Sequence, residues 1–378
     1  MESLNFGSKK LGFGCMRLPM TTGTVGGEGT VDTQQVCEMV DAFLAQGFCY
    51  FDTAHGYIAG HSEPTLRQCL VERYPRDRYL LTDKLSGTFF QTEAEIRPFF
   101  ESQLEITGAG YFDFYLMHAL SAKQYQKFTD CNAFHVARQL KEEGKIRHMG
   151  ISFHDTPEVL EQILSEHPEI EVVQIQFNYA DMEDPKVQSR AVYDVCRRHG
   201  KPVIVMEPVK GGALANLPEA AGEILDRLQG GSRASYAIRF AASFEGVAMV
   251  LSGMSTLEQM QDNLGYMANF QPLTPPEQEA VRRACAVLKN QETIACTGCR
   301  YCEAGCPMHI SIPDLFAGFN AKKQDPNTAF NYAAAVSDGH GRASSCIGCL
   351  QCETICPQHL PVSALLSQVA KEFETSTQ

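Results

Sequence analysis

Positive charge is scarce in this chain. Lys and Arg number 32 against 45 Asp and Glu, a formal net charge of −13 over 378 residues. With no basic excess to neutralise phosphates, the composition argues against nucleic acid or an anionic membrane surface as a partner. Long apolar runs are also missing. The longest, such as Val247 to Leu251, fall far short of a bilayer span. No apolar segment follows a basic start, so no signal peptide is expected and the expected compartment is the cytoplasm. The glycine-rich dinucleotide fingerprint is absent too: Gly12-Phe13-Gly14-Cys15-Met16-Arg17 lacks the third glycine of G-x-G-x-x-G. What remains is 44% hydrophobic and 20% charged, ordinary globular values, in a chain long enough for one large domain and one small one.

Cysteine, by contrast, is abundant and patterned. Eight of the fifteen cysteines fall into two copies of C-x2-C-x2-C-x3-C-P: Cys296, Cys299, Cys302, Cys306, Pro307, and Cys346, Cys349, Cys352, Cys356, Pro357. This is the bacterial ferredoxin spacing, in which three thiolates wrap one cubane cluster and the fourth reaches the other cluster. Two copies predict two [4Fe-4S] clusters with exchanged fourth ligands, and hence a segment that moves single electrons. Zinc sites more often use two separated C-x2-C pairs, and a disulfide framework belongs to small secreted domains. The other seven (Cys15, Cys37, Cys49, Cys69, Cys131, Cys196, Cys285) are an odd, scattered set. They read as reduced thiols that behave as small buried hydrophobes.

Ahead of these motifs the sequence alternates short β-rich runs with helical patterns. The strands are expected at Leu11–Cys15, Cys49–Thr53, Tyr79–Lys84, Phe112–His118, His148–Phe153, Val172–Phe177, Pro202–Glu207 and Val247–Ser252. Runs such as Val203-Ile204-Val205-Met206 are apolar on consecutive positions, as strands covered on both faces are. Thr33–Gln46 reads as a helix, Thr156-Pro157-Glu158-Val159 as a helix start, and Gly110, Gly144 and Gly200 as helix ends. Regular βα alternation over about 250 residues predicts an α/β fold of the (β/α)8 TIM-barrel type. Asp52, Lys84, His118, Ser152 and Gln176 lie at or just past the C-terminal ends of consecutive strands. In a barrel those ends converge on one face, where active sites form.

At this point the residues resemble a known family. Phe51-Asp52-Thr53-Ala54-His55-Gly56-Tyr57 is similar to the signature of the aldo-keto reductases. Leu81-Thr82-Asp83-Lys84 resembles the family's lysine strand, and Leu116-Met117-His118 its histidine strand. The resemblance covers about residues 5–268. It implies a catalytic tetrad of Asp52, Tyr57, Lys84 and His118. Reducing a carbonyl takes a hydride at carbon and a proton at oxygen. Tyr57 would give the proton, with Lys84 expected to lower its pKa, Asp52 to hold Lys84, and His118 to orient the carbonyl oxygen.

The resemblance also implies dinucleotide contacts. Ser152, Gln176 and Asn178 would meet the nicotinamide carboxamide, and Met206 takes the place of a stacking tyrosine. Lys210 and Gly211 would approach the pyrophosphate, and Ser252, Asp262 and Asn263 lie toward the adenine end. Two departures matter. Ser152 is followed by Phe153-His154 rather than asparagine, and Gly253 and Gln259 stand where NADP-binding members carry a lysine and an arginine. NADP, NAD or a flavin such as FMN in the same groove all remain open.

The pattern breaks at Pro272-Leu273-Thr274-Pro275-Pro276-Glu277, which reads as a capped helix start leading into a helix Glu277–Lys289. The domains are accordingly 1–271, the barrel, and 272–378, a helical linker with a small, mostly α-helical ferredoxin-like domain. The segments from Cys296 and Cys346 repeat at an offset of 50 residues. The interval between them suits two helices, Ile312–Lys322 and Asn327–Val336, and resembles the α-helical ferredoxin domains of multi-subunit reductases. His309, His340 and His359 are read as residues around the clusters or on the surface.

The two halves together resemble a ferredoxin-linked branch of the aldo-keto reductases. Three functions follow. The first is a nicotinamide-dependent reductase of an aldehyde, ketone or related small-molecule substrate, with clusters that relay electrons or sense redox state and a redox partner protein to exchange them. The second is a flavin- or ferredoxin-driven reductase that does not use nicotinamide, since nicotinamide passes electron pairs and each cluster passes one. The third is a non-catalytic redox-sensing interaction protein.

Overall fold

The computed structural model describes residues 4–290, 293–324, 328–337 and 339–374. Eight parallel strands close into a barrel in sequential order: β1 (Leu11–Gly14), β2 (Tyr50–Asp52), β3 (Leu80–Ser86), β4 (Phe112–Leu120), β5 (Ile146–Phe153), β6 (Val172–Gln176), β7 (Val203–Met206) and β8 (Val247–Ser252). All eight expected strands are present, and the fold is a (β/α)8 TIM barrel. Consecutive apolar residues are explained by two cores. Val203 and Val205 face the layer between strands and helices, while Ile204 points inward with Tyr50, Phe114, Leu116, Val172, Met249 and Leu251. Leu4 and Phe6 close that interior, with Phe6 stacked on Phe114 at 5.1 Å.

The helices follow the start signals. Pro157–Glu166 begins with proline in its first turn after Thr156, and Thr33–Ala45 is capped by Asp32. Helix Glu93–Thr107 ends at Gly108, two residues before the expected Gly110, because Gly108 itself takes the left-handed conformation that closes a helix. A hairpin of Met20–Gly23 with Gly29–Val31, unforeseen in the sequence, lies beside the barrel.

At the join, helix Pro275–Lys289 carries the expected capping box of Thr274 and Glu277. Its apolar face, Ala280, Val281, Ala284 and Cys285, shares a core with Leu214, Ala221, Leu225 and Tyr236 of the barrel's outer layer. Arg239 Nη1 donates to Glu277 Oε1 at 2.7 Å, fixing the helix to its neighbour.

The C-terminal region is helical: Ile312–Gln324, Tyr332–Ala335, Gln351–Ile355 and Val362–Phe373. The helix expected over Asn327–Val336 is a single turn. Asn327 lies outside the described residues, and Asn331 caps the turn late by accepting from Ala334 N at 3.1 Å. The internal repeat is visible in the backbone. Left-handed residues recur at Gly298 and Gly348, Arg300 and Leu350, and His309 and His359, each pair fifty positions apart. Among the described residues no helix is long and apolar enough to cross a membrane.

Candidate active site

Lys84 is fully buried on β3. A buried ammonium needs a counter-charge and hydrogen-bond acceptors. Lys84 Nζ donates to Asp52 Oδ1 at 2.6 Å and to Thr53 O at 2.7 Å, and the other Asp52 oxygen accepts from Gln174 Nε2 at 2.9 Å. The ammonium also lies over the ring of Tyr57, 4.8 Å from its centroid.

Tyr57 is carried into the mouth by a strained turn. Ile58 and Ala59 follow it with φ of 53° and 50°. A β-branched residue avoids that region, and Ile58 is held there by complete burial of its side chain. The ring of Tyr57 meets that of His118 edge-on at 6.0 Å. All four tetrad positions therefore gather at the C-terminal ends of β2, β3 and β4, as the sequence implies.

The electrostatics differ from the expectation at one point. The net shift of the Tyr57 pKa is upward, so whatever Lys84 contributes is outweighed. Burial raises the phenol well above its ordinary range, and Asp52, Asp83, Cys15 and Glu207 add to the rise. Lys84 spends its contacts on Asp52 and Thr53 and faces the ring. Tyr57 thus stays protonated. His118 is pushed well below its ordinary range by burial, then by Lys84 and His154, and its imidazole is neutral. Its Nδ1 pairs with Ser86 Oγ at 2.6 Å. When Ser86 donates, Nε2 carries the N–H that a carbonyl oxygen can accept.

The expected dinucleotide residues separate into two groups. On one side, Ser252 Oγ accepts from Asn263 Nδ2 at 2.8 Å, and the exposed Asp262 accepts from Ser232 Oγ at 2.6 Å. On the other, Gln176 and Asn178 donate to Asp181 Oδ2 at 2.6 and 2.7 Å, and Lys210 bonds the other Asp181 oxygen. Met206 ends β7 beside Gln176 in register, half-buried. Ser152 is engaged within the barrel. Its hydroxyl accepts from Ala119 N at 2.7 Å, which secures the bulge after His118.

The C-terminal region sits over this mouth. Arg17 Nη2 donates to Thr297 O at 2.6 Å, Gly211 packs on the Thr297 backbone, and Gln358 reaches Gln176 and Lys210. Tyr301, half-buried between Cys299 and Cys302, is raised well above its ordinary range by burial and then by the Tyr57 phenol, with Lys84 opposing. It therefore lies within electrostatic reach of the tetrad. A small hollow open to solvent is lined by His154, Gln176, Ser189, Pro357 and His359. His154 Nδ1 and Ser189 Oγ there are buried without a hydrogen-bond partner. Burial, then His359, lowers His154 to about 4.

Gln174, Ser86, Tyr301 and Gln358 went unrecognised in the sequence. Ser86 and Gln174 could have been found, since each lies two residues from a predicted site residue on the same strand and so faces the same side. Nothing local marks Tyr301 or Gln358.

Cys306 lines a partly open hollow of about 350 Å³ with Cys346, Cys349 and Cys352. Cys356 instead lies within electrostatic reach of Cys296, Cys299 and Cys302. Each fourth cysteine thus sits with the other run. Burial raises the Cys296 and Cys299 thiols to about 11 and 12, a cost that iron offsets by binding the thiolate. Among the described residues no three acidic, histidine or cysteine side chains gather tightly enough for a single metal ion. The donor set and its hollow fit a cubane.

Comparison with known proteins gives matches to both regions. A 4Fe-4S dicluster domain model matches residues 295–360. Among solved structures, an aldo-keto reductase from Klebsiella pneumoniae in complex with NADPH superposes with a TM-score of 0.58 at 20% identity, covering 72% of this chain and 90% of its own. The holo form of aldo-keto reductase AKR11C1 from Bacillus halodurans gives 0.59 at 24%, covering 75% and 96%. At these identities both likenesses speak for the fold alone. No curated protein matches the chain. The family model for aldo/keto reductases matches residues 10–285, nearly three quarters of the sequence and the whole of the barrel, and on that match the chain belongs to the aldo/keto reductase family.

Proposed function

We propose that this oxidoreductase reduces the carbonyl of a small aldehyde or ketone at the tetrad. The observation that carries the reading is the buried Lys84–Asp52 pair beneath Tyr57, with His118 edge-on to the same ring. Tyr57 delivers its phenolic proton to the carbonyl oxygen as negative charge develops there. His118, neutral, donates a hydrogen bond to that oxygen and fixes its direction. Lys84 sits where it stabilises the phenolate left behind, and Asp52 with Thr53 O keeps it charged and in place. A dinucleotide, when bound, supplies the hydride. The nicotinamide side of the mouth does not fit one as arranged, because its polar groups already have partners, and no step is drawn through it.

Cys296, Cys299, Cys302 and Cys356 would hold one [4Fe-4S] cluster and Cys346, Cys349, Cys352 and Cys306 a second, supplying single electrons. The first set faces the barrel. The second faces outward: Cys349 is exposed, with Ile347, Leu350 and Ile355 exposed around it. This face suits a redox partner protein. The division between the units is best placed after Lys289, since helix Pro275–Lys289 is packed into the barrel's outer layer.

The test is Tyr57→Phe in anaerobically purified protein, assayed on a panel of aldehydes and ketones. Loss of about 10²–10⁴ in kcat is expected, with iron and sulfide content unchanged. Undiminished turnover sinks the reading. A second reading, a flavin- or ferredoxin-driven reductase without nicotinamide, is favoured by the contact of Gln358 with Gln176. A yellow chromophore released from the purified protein supports it.

A further inference from the structure

One side of the barrel mouth is a built seat, and its occupant is part of the chain itself. Gln358 is 4% exposed and follows Cys356-Pro357 directly. Its side-chain amide pairs with that of Gln176 in both directions, donating to Oε1 at 2.8 Å and accepting from Nε2 at 3.2 Å. Lys210 Nζ donates to the same Gln358 oxygen at 3.2 Å. A primary amide has two N–H groups, and those of Gln176 are both taken, one by Asp181 and one by Gln358. Nearby, Gly211 adopts φ 63°, and a Cβ there would lie 2.2 Å from Thr297 O. That close approach fits the loop between Cys296 and Cys299 against the mouth. Arg17 clamps the same carbonyl.

We propose that the cluster domain and the nicotinamide end of a dinucleotide are alternative occupants of this seat. The inference rests on the reading that a dinucleotide binds the barrel at all. The argument is one of matching groups. Gln358 presents to Gln176 a carbonyl and an NH2 on one carbon, the same pair that a nicotinamide carboxamide carries. Gln176 cannot hold two such groups at once. Docked, the chain holds its first cysteine set against the tetrad and closes the dinucleotide site. Undocked, it frees Gln176, Lys210 and Gly211. Among the described residues, Ser252, Asp262 and Asn263 on the adenine side bond barrel residues, so docking does not cover them. A dinucleotide would therefore bind the intact protein with an affinity reduced by the fraction of open molecules.

The experiment is NADPH titration of full-length, cluster-loaded protein by nucleotide fluorescence, wild type against Gln358→Ala, with iron and sulfide measured in both. The variant loses the amide pair and the Lys210 contact, so it should bind NADPH about tenfold more tightly. A second measurement needs no variant. Hydrogen exchange of the wild type should quicken at residues 297–301 and 357–360 when NADPH is added. Equal affinities, with those loops unchanged while barrel amides become protected, overturn the competition and leave the dinucleotide reading intact. Absence of NADPH binding to either protein overturns that reading and the competition together.

Discussion

Lys84, buried in the barrel, and Cys299, half-buried over its mouth, are both reactive groups, yet they are stabilised in different ways. The lysine's charge is met by protein alone, through Asp52, Thr53 and the face of Tyr57. The cysteine's thiol is driven upward by burial, and the neighbouring thiol of Cys296 adds to the rise. The barrel site is complete in its polypeptide. The cysteine region packs a small core in which Cys296, Cys302, Cys306, Cys346 and Cys356 themselves lie against the apolar residues. A fold whose ligands form part of its core is one in which cofactor binding and folding are the same event.

The sharpest way to break this contrast is to remove iron. Chelation under reducing conditions should unfold residues 293–374 and leave the barrel intact, seen as proteolysis confined to that segment with the barrel's thermal transition retained. A cysteine region that stays protected without iron would erase the distinction. The reciprocal experiment is Lys84→Met. It leaves Asp52 buried without its cation and should cost about 3–5 kcal/mol of barrel stability by denaturant midpoint, with carbonyl reduction lost as well. Arg300→Met, which breaks pairs with Glu303 and Asp314 beside the first cysteine run, should cost about 1 kcal/mol.

The same contrast governs what could be read in advance. Strand positions and the tetrad were legible because a barrel imposes period and convergence on the sequence, so Asp52, Lys84 and His118 announce themselves by spacing. The cysteine runs were legible because cluster geometry fixes ligand intervals. The contacts between the two regions were not. Gln358 and Tyr301 act across the join, and no local pattern encodes which surfaces meet. The Tyr57 pKa was misjudged for a related reason. Its direction is set first by burial and then by carboxylates, such as Asp52, Asp83 and Glu207, contributed by other parts of the chain. The distinct local conformation of Ser152, turned to a backbone bulge, is likewise a matter of register that the sequence does not display.

That misjudged phenol yields a pH prediction. With Tyr57 raised, the donor form persists through the alkaline range, so kcat/KM for carbonyl reduction should stay level up to about pH 10, the ordinary tyrosine value. A fall centred near pH 8 would show that the Lys84 charge outweighs burial at the phenol.

A smaller effect lies just behind the tetrad and tests whether the barrel's self-sufficiency extends beyond one ion pair. Asp83 is fully buried, with Oδ1 accepting from Lys84 N at 2.8 Å and from Gln103 Nε2 at 3.1 Å, while Oδ2 has no hydrogen-bond partner. Burial first, then the neighbouring Glu63, raises its pKa well above the ordinary value. The sign follows from proton counting. Above about pH 4 the unfolded chain releases this proton while the folded chain keeps it, so folding is increasingly opposed as pH rises. Below about pH 4 both forms hold the proton and the penalty vanishes. Asp83→Asn keeps an acceptor for Lys84 N and carries no charge, so it should remove this component. Urea midpoints of wild type relative to the variant should fall steadily from pH 4 to pH 7, with the variant the more stable at the upper end. The cluster domain's iron content should be indifferent to the change. Parallel midpoints across that range would mean that Asp83 is ionised in the folded barrel and that its charge is met by a group reaching Oδ2.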